Sequence, residues 1–509
     1  MTLTDHPSPA GTDADAFLES VEPGDGSLVG RFPVAGPEEV QRAVARAREG
    51  ARWWSALTYS ERRVHLRAVA AELAQGASEL ADLVHRENGK PWDDAMLEIV
   101  LSIEHLDWAA RNASRVLSLR RVRTTALMAN YAAHVEYLPV GVVGVIGPWN
   151  YPVLTPLGSI VYALAAGNAI VYKPSEYTPA VGQWLAEAVQ RAVPGRALLE
   201  VVHGRGATGE HLCRSGVDLV AFTGSGRTGR RVMAACADSL TPVLLELGGK
   251  DALIVAEDAD LDRAATAAVW GGLQNAGQAC ISVERVYVAD AVYDAFMEKL
   301  VARARAVRAG SGPDATMGPI TMPGQVDVIR RHLEDALRRG ARAVVGGLES
   351  LQGNVIGPVV LTDVPEDAAA LTEETFGPTL PVIRVRDADE AVERANRSPY
   401  GLGSTVFSRR RGMELARRLR AGMTSVNAAA SFAAIPSLPF GGVGESGFGR
   451  IHGDDGLRAF SRAHSIARQR FALPIEFSSF DRPKAAVRIA GRLLAARHRR
   501  RGGSGSEGR

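Results

Sequence analysis

Apolar residues recur every three to four positions in three early stretches, roughly 37–54, 60–87 and 91–114. Val64, Leu66, Val69 and Leu73 line the second, and Met96, Ile99, Ile103 and Leu106 the third, which predicts long amphipathic helices. Residues 1–35 show neither the helical nor the strand period and read as irregular. From Val140 the texture changes. Short apolar runs alternate with helical stretches: VGVVGVIG, NAIVYKP, ALLEVVHG, DLVAFTG, PVLLELGG and ALIVAED. That alternation predicts an α/β fold with a parallel sheet. A second α/β series runs from Glu246 to about 440, with strands at ERVYVAD, ARAVVGG, LPVIRVRD, GSTVFS and MTSVNA. Residues 119–138 are β-prone without a helical stripe and predict a projecting hairpin, with FALPIEFSSF at 471–480 as its strand partner.

A chain of 509 residues exceeds one core, so two or three domains are expected. The three cysteines, at 213, 236 and 280, have no paired or metal-type spacing. That points to a reducing cytoplasm, without disulfides and with no metal site. The start of the chain is polar and acidic, unlike a secretory leader, and the apolar stretch from Val140 to Tyr172 is broken by Gly and Pro, unlike a membrane span. Of 59 basic residues only five are lysines, the mark of a GC-rich bacterial genome, and three of the five (Lys90, Lys173 and Lys250) fall in motif-like segments. A lysine ammonium is a compact point charge that arginine's planar fork does not replace.

The net charge of +2 conceals an asymmetry. From Arg482 onward there are nine basic residues and one acid, or +8, which leaves −6 for the rest. Residues 484–501 have helical spacing, with Ile489, Leu493 and Leu494 on one side and Arg488 and Arg492 on another. This basic tail is either a solvated extension or a peripheral contact with anionic lipid. It lacks the aromatic residues that stack on bases, so no nucleic-acid partner is expected.

Gly224-Ser225-Gly226-Arg227-Thr228-Gly229 follows an apolar strand and opens a helical run. That is the setting for a dinucleotide phosphate at a helix N-terminus. An acid about 20 residues on then holds the ribose in ordinary Rossmann units. Glu246, 17 residues after Gly229, fits that spacing, and Glu176 is a second candidate. Spacing leaves both open. Cys280 in QNAGQAC and Glu246 in LELGGK, 34 residues apart, supply a thiol nucleophile and a carboxylate base.

Seven ordered motifs over roughly residues 20–470 resemble those of the aldehyde dehydrogenase superfamily: PWN at 148–150, KPSE at 173–176, FTGSGRTG at 222–229, LELGGK at 245–250, GQAC at 277–280, EETFGP at 373–378 and PFGG at 439–442. The resemblance makes Cys280 the nucleophile and Glu246 the base, with Asn150 and the Cys280 N–H as oxyanion donors, and gives the ribose to Glu176. It implies oxidation of an aldehyde to its acid through a cysteine thioester, with surroundings that favour the Cys280 thiolate. Cofactor contacts carried over are Ile146, Trp149, Lys173, Ser175, Glu176, Gly206, Ser225, Leu247, Glu374 and Phe376, beside Gly224 and Gly229 of the glycine-rich turn. The Glu176 carboxylate would repel a 2′-phosphate, so NAD is expected, with NADP as the alternative.

The same resemblance implies a cofactor domain (1–118 and 139–245), a catalytic domain (246–440), a β oligomerisation arm (119–138 and 456–480) and the tail 481–509, assembled as a homodimer or homotetramer. Two features point to different substrates. Gly444 stands where many members carry lysine, and with the following His452-Gly453 this resembles the class-3 and fatty-aldehyde branch. Cys280-Ile281-Ser282-Val283-Glu284-Arg285 resembles a bacterial semialdehyde dehydrogenase branch. The competing readings are a CoA-acylating relative, which Glu246 argues against, and a catalytically silent scaffold, which the full set of Asn150, Glu246 and Cys280 argues against.

Overall fold

Four strands of the first apolar series are buried through most or all of their length, which explains why they read as unbroken apolar runs. The computed structural model describes residues 16–475 and 478–499; the polar start and the glycine-serine end lie outside the described residues. One unit comprises 16–117 with 138–462, and a second comprises 118–137 with 463–499.

The first unit holds two sheets. In the six-stranded sheet the order is Gly447–Phe448, Val243–Glu246, Leu219–Thr223, Val142–Ile146, Ala169–Lys173, Leu199–Val201. All pair in parallel except the short Gly447–Phe448, which runs antiparallel on Glu246 and Leu245. The chain leaves Val142–Ile146 toward Ala169–Lys173, then returns to pair Leu219–Thr223 on the other side. Strand order therefore reverses at Val142–Ile146, and the crevice at such a reversal lies at the carboxyl ends of the strands.

The seven-stranded sheet has the order Arg342–Val345, Val359–Thr362, Thr379–Val385, Val283–Ala289, Asp251–Val255, Ser404–Phe407, Ser425–Val426. Only Arg342–Val345 is antiparallel. The run ALIVAED joins this sheet rather than the first. Four residues separate Glu246, which ends a strand of one sheet, from Asp251, which begins a strand of the other. The carboxyl ends of the first sheet thus meet the amino ends of the second.

The early helices are Pro37–Ala56, Tyr59–Gln75, Ala77–Asn88 and Trp92–Leu117. The single helix expected over 60–87 is two. Thr58 and Glu61 form a capping box at its start, and the first helix ends on Gly76, where a Cβ would come within 2.4 Å of the Trp184 ring. Val64, read as core, points to solvent, and Arg62 is buried on that helix instead. The stretch read as irregular contains a hairpin of Phe17–Val21 with Leu28–Pro33. The buried positions of its first strand are Leu18 and Ser20, so a polar residue masks the alternation.

The second unit contains the expected hairpin, Arg120–Val122 against Tyr131–Pro139. The third strand of its sheet is Ser461–Gln469, not 471–480, which forms no strand among the described residues. Ser461–Gln469 is exposed along nearly its whole length, so no apolar period marks it. The tail forms the helix Lys484–Arg499. Among the described residues no helix is long and apolar enough to cross a membrane.

Candidate active site

Cys280 lies three residues before the strand Val283–Ala289, and the chain reaches it through an unusual turn. Asn275, Ala276 and Gly277 have φ of +48°, +56° and +73°. Two of the three are not glycine, and such left-handed strain persists only where the surroundings enforce it. Here Asn275 Nδ2 donates to the carbonyls of Asn150 (2.9 Å) and Gln278 (3.2 Å), and Gln278 Nε2 donates back to the Asn275 carbonyl. A Cβ on Gly277 would lie 2.1 Å from the Gly377 carbonyl, so the residue must be glycine.

Glu246 ends the strand Val243–Glu246, opposite Thr223 on one side and Gly447 on the other. The two glycines after it are set by close approach: a Cβ on Gly248 would lie 2.2 Å from Glu374 Oε2, and one on Gly249 would lie 2.5 Å from the Cys280 carbonyl. Both Glu246 carboxylate oxygens are buried, and no hydrogen bond of ordinary geometry reaches them. Burial pushes this carboxyl up to about 7, while the nearby Cys280 thiol and Thr223 hydroxyl pull it partly back.

The Cys280 thiol, itself partly exposed, is pushed well above its usual range by burial and then by the carboxylates of Glu246, Asp251 and Glu374. The expectation of surroundings that favour the anion is therefore corrected: three acids around the sulfur favour the thiol. Asn150 Nδ2 donates to the Gln278 carbonyl at 3.0 Å, two residues before Cys280. The amide carries a second hydrogen. Asn150, Cys280 and Glu246 thus converge where the two sheets meet. Beside Glu246 is a small cavity bordered by Ser159, Thr223, Phe440 and Ile451.

The cofactor candidates cluster at the carboxyl ends of the six-stranded sheet and in the loop before Thr379–Val385. Ile146 and Lys173 end adjacent strands. The helix Gly206–Cys213 lies over both, since a Cβ on Gly209 would be 3.8 Å from Ile146 and 3.9 Å from Lys173. Ser225 caps the helix Gly226–Ala237 by accepting from the Thr228 N–H, after the turn at Gly224. Gly229 packs on the Leu247 side chain, where a Cβ would come within 2.6 Å. The Trp149 and Phe376 rings meet edge to face at 5.6 Å. Glu374 accepts from the Gly249 N–H at 2.9 Å, and burial raises its carboxyl to about 8. Ser175 is buried.

These groups fit a dinucleotide. The Lys173 ammonium is buried and makes one hydrogen bond, 3.4 Å to Glu176, so further donors are available for ribose hydroxyls. Glu176, 36 % exposed, keeps acceptor capacity toward the same space. The helix Gly226–Ala237 points its N-terminus into the crevice for a phosphate.

The rare lysines of the motif segments are all buried, each against a carboxylate: Lys90 on Glu98, Lys173 on Glu176, Lys250 on Glu284. Glu284 also accepts from the Thr375 and Phe376 N–H groups at 2.7 and 2.9 Å, and so holds the loop that carries Glu374. Arg285 donates twice to the Lys250 carbonyl, at 2.9 and 2.7 Å. Glu98 was not singled out in the sequence, and Glu284, Asn275 and Gln278 were only quoted as parts of motifs without a role; the scarcity of lysine pointed toward Lys90 and Lys250, the partners of Glu98 and Glu284. Gly444 has φ +64°, and a Cβ there would lie 2.5 Å from the Pro399 carbonyl, which disfavours the lysine that the family resemblance places at this position. His452 is buried with neither ring nitrogen hydrogen-bonded, 4.0 Å from the ring of His105.

Comparison with known proteins agrees with this geometry. The profile of the aldehyde dehydrogenase family matches residues 11–466. The chain is 39 % identical over 463 residues to a 4,4'-diapolycopene aldehyde oxidase of a Methylomonas species, covering 90 % of this chain and 87 % of that one. It is 37 % identical over 447 residues to a putative succinate-semialdehyde dehydrogenase [NADP(+)] of Mycobacterium ulcerans, covering 86 % of each. The crystal structure of an NAD-dependent aldehyde dehydrogenase from Sinorhizobium meliloti superposes with a TM-score of 0.86 at 32 % identity, over 91 % of this chain and 93 % of that one. With facing sheets, a thiol, a buried carboxylate and a dinucleotide crevice in these positions, the chain belongs to the aldehyde dehydrogenase family, NAD(P)-dependent enzymes that oxidise aldehydes to carboxylic acids.

Proposed function

We propose that Cys280, Glu246 and Asn150 carry out this oxidation, with the six-stranded half holding the cofactor and the seven-stranded half the nucleophile. Glu246 takes the Cys280 proton as substrate arrives, and the thiolate adds to the aldehyde carbon. The free Asn150 amide hydrogen and the Cys280 N–H hold the oxyanion that forms. Trp149, Lys173, Glu176, Glu374 and Phe376 would hold NAD(P), which would supply the acceptor for the hydride leaving that carbon. Cys280 is left as a thioester. Glu246, having released its proton, deprotonates the water that hydrolyses the thioester to acid and free thiol. The observation that carries this reading is the buried, unbonded Glu246 carboxylate beside Cys280, with a carboxyl pKa near neutrality. The same carboxylate favours release by water over transfer to CoA.

The test is NADH formation by wild type and Cys280→Ala, with and without CoA. Turnover without CoA, lost in the variant, supports the reading. A strict CoA requirement, or full activity in the variant, overturns it.

For the substrate we propose an apolar aldehyde, long-chain or aromatic, rather than a dicarboxylic semialdehyde. Residues 427–439, NAAASFAAIPSLP, contain no charged side chain. A Cβ on Gly271 would be 3.7 Å from Ala429, and Gly271 accepts from Ser282 Oγ, two residues after Cys280. This segment, with Ile435 and Leu438 exposed, carries no cationic side chain of its own to pair with a second carboxylate. The relative named for a polyene aldehyde supports the same choice. Higher kcat/KM for succinic semialdehyde than for decanal or benzaldehyde would overturn it.

We also propose that the tail rests on anionic lipid. In the helix Lys484–Arg499, Val487, Ile489, Leu493 and Leu494 are all exposed, while Lys484, Arg488 and Arg492 follow each other at four-residue spacing on the opposite side. Full-length protein should co-sediment with phosphatidylserine vesicles and release at high salt, and protein ending at 483 should not. Equal sedimentation of both would dispose of the idea. The three-stranded arm is proposed to join subunits.

A further inference from the structure

Lys90 is 1 % exposed, and its Nζ meets three partners. It donates to Glu98 Oε2 at 2.6 Å and to the Asn150 carbonyl at 2.9 Å, and it sits 4.0 Å from the centre of the Tyr151 ring. Glu98 completes the bracket. Its other oxygen accepts from the N–H groups of Val153 and Leu154, at 2.7 and 2.9 Å. Upstream, Asn88 Nδ2 donates to the Trp149 carbonyl at 3.0 Å. Apart from the Lys90–Glu98 pair itself, these contacts fall on residues 149–154, the segment that carries Asn150. None touches the Asn150 side chain itself.

A buried ion pair contributes little net stability once desolvation is counted, so its retention invites a geometric explanation. The ammonium serves a carboxylate, a carbonyl and a ring face from one compact point, whereas a guanidinium would spread the same contacts over a larger planar fork that does not fit the same space. The far side of the same carbonyl is held by Asn275 Nδ2, which also reaches the Gln278 carbonyl. Gln278 in turn receives the Asn150 amide. The Asn150 backbone is therefore fixed from both sides, and its amide is held on the Gln278 carbonyl, two residues before Cys280.

We infer that the Lys90–Glu98 pair is the positioning device for the Asn150 amide. It acts through the backbone of residues 149–154 and sets where the oxyanion donor stands. The inference rests on the oxyanion role proposed for Asn150. Misplacing a catalytic group by about 1 Å costs roughly 10²-fold in rate, about what loss of one oxyanion donor costs.

The experiment is a double-mutant cycle on the full chain with NAD and the best aldehyde found. Lys90→Met and Asn150→Ala should each lower kcat about 10²-fold with KM and the Kd for NAD little changed, and the double variant should be no worse than Asn150→Ala alone. Lys90→Arg should fail to restore kcat. Glu98→Gln keeps the shape of the site and removes the charge, so it supplies the same measurement if Lys90→Met does not fold. Its kcat loss, too, should vanish in the Asn150→Ala background. A normal kcat for Asn150→Ala sinks the oxyanion reading on which the inference rests. A lowered kcat for Asn150→Ala, with Lys90 and Glu98 losses that multiply onto it or affect only the melting temperature, sinks the inference alone.

Discussion

Gly224 donates its backbone N–H to the Glu246 carbonyl at 3.1 Å. The turn proposed to receive the cofactor phosphate and the residue proposed as base are thus joined directly, across adjacent strands that pair Thr223 with Glu246.

The Glu246 carboxyl, raised to about 7, must be ionised to act as a base. The kcat/KM for an aldehyde should therefore fall as pH drops through 7, with a slope of about one per pH unit. Glu246→Gln should lower kcat at least about 10²-fold and remove that limb. A wild-type limb near pH 4.5, or one that survives in Glu246→Gln, would contradict the assignment.

Because burial, and after it the neighbouring acids Glu246, Asp251 and Glu374, push the Cys280 thiol well above its usual range, its alkylation by iodoacetamide in cofactor-free enzyme should be slow at pH 7.5. The rate should keep rising past pH 9 without a plateau. Peptide mapping should find the label on Cys280 and not on the buried Cys213 or Cys236 while the protein is native. A plateau below pH 8 would show a thiolate already present at rest.

Gly444→Lys places a side chain at φ +64° and 2.5 Å from the Pro399 carbonyl. Strain of this kind costs about 1–3 kcal/mol. Ser446, two residues on, donates from Oγ to the Gly248 carbonyl at 2.7 Å, so kcat should fall as well as the melting temperature. An unchanged melting temperature would mean the turn tolerates the residue that relatives carry.

His452 is held well below its usual pKa by burial and by His105 beside it, so the folded protein keeps it neutral. The unfolded chain takes up a proton as pH falls through about 6.5, which favours unfolding by up to about 1.4 kcal/mol per pH unit below that point. His452→Asn removes one such site. It should lose stability at pH 7.5 through the vacated space, yet its melting temperature should decline less than that of wild type between pH 6.5 and 5. Parallel declines would refute a titrating role.

Local chemistry was legible. The glycine-rich turn at 224–229 lies between a strand and the helix Gly226–Ala237 within a few positions, so spacing alone exposes it. The interior strands were legible because burial on both faces demands continuous apolar side chains. The strand Ser461–Gln469 was not, because it is exposed and carries no such demand. Glu98 was hidden inside a helical pattern; nothing in the sequence ties it to Val153 and Leu154, 55 and 56 residues away.

The sequence by itself determined the family and the α/β alternation and singled out Cys280, Glu246 and Asn150 as the candidates, since these follow from contiguous motifs and from the period of burial. Tertiary structure decided what surrounds Cys280 and what Lys90 meets. Cys280 feels Asp251 and Glu374, and Lys90 feels Glu98 and Asn150, only because separate strands and helices bring them together. Electrostatic interaction in a buried site depends on distance through space and on exclusion of water, and neither is written in the order of residues along the chain.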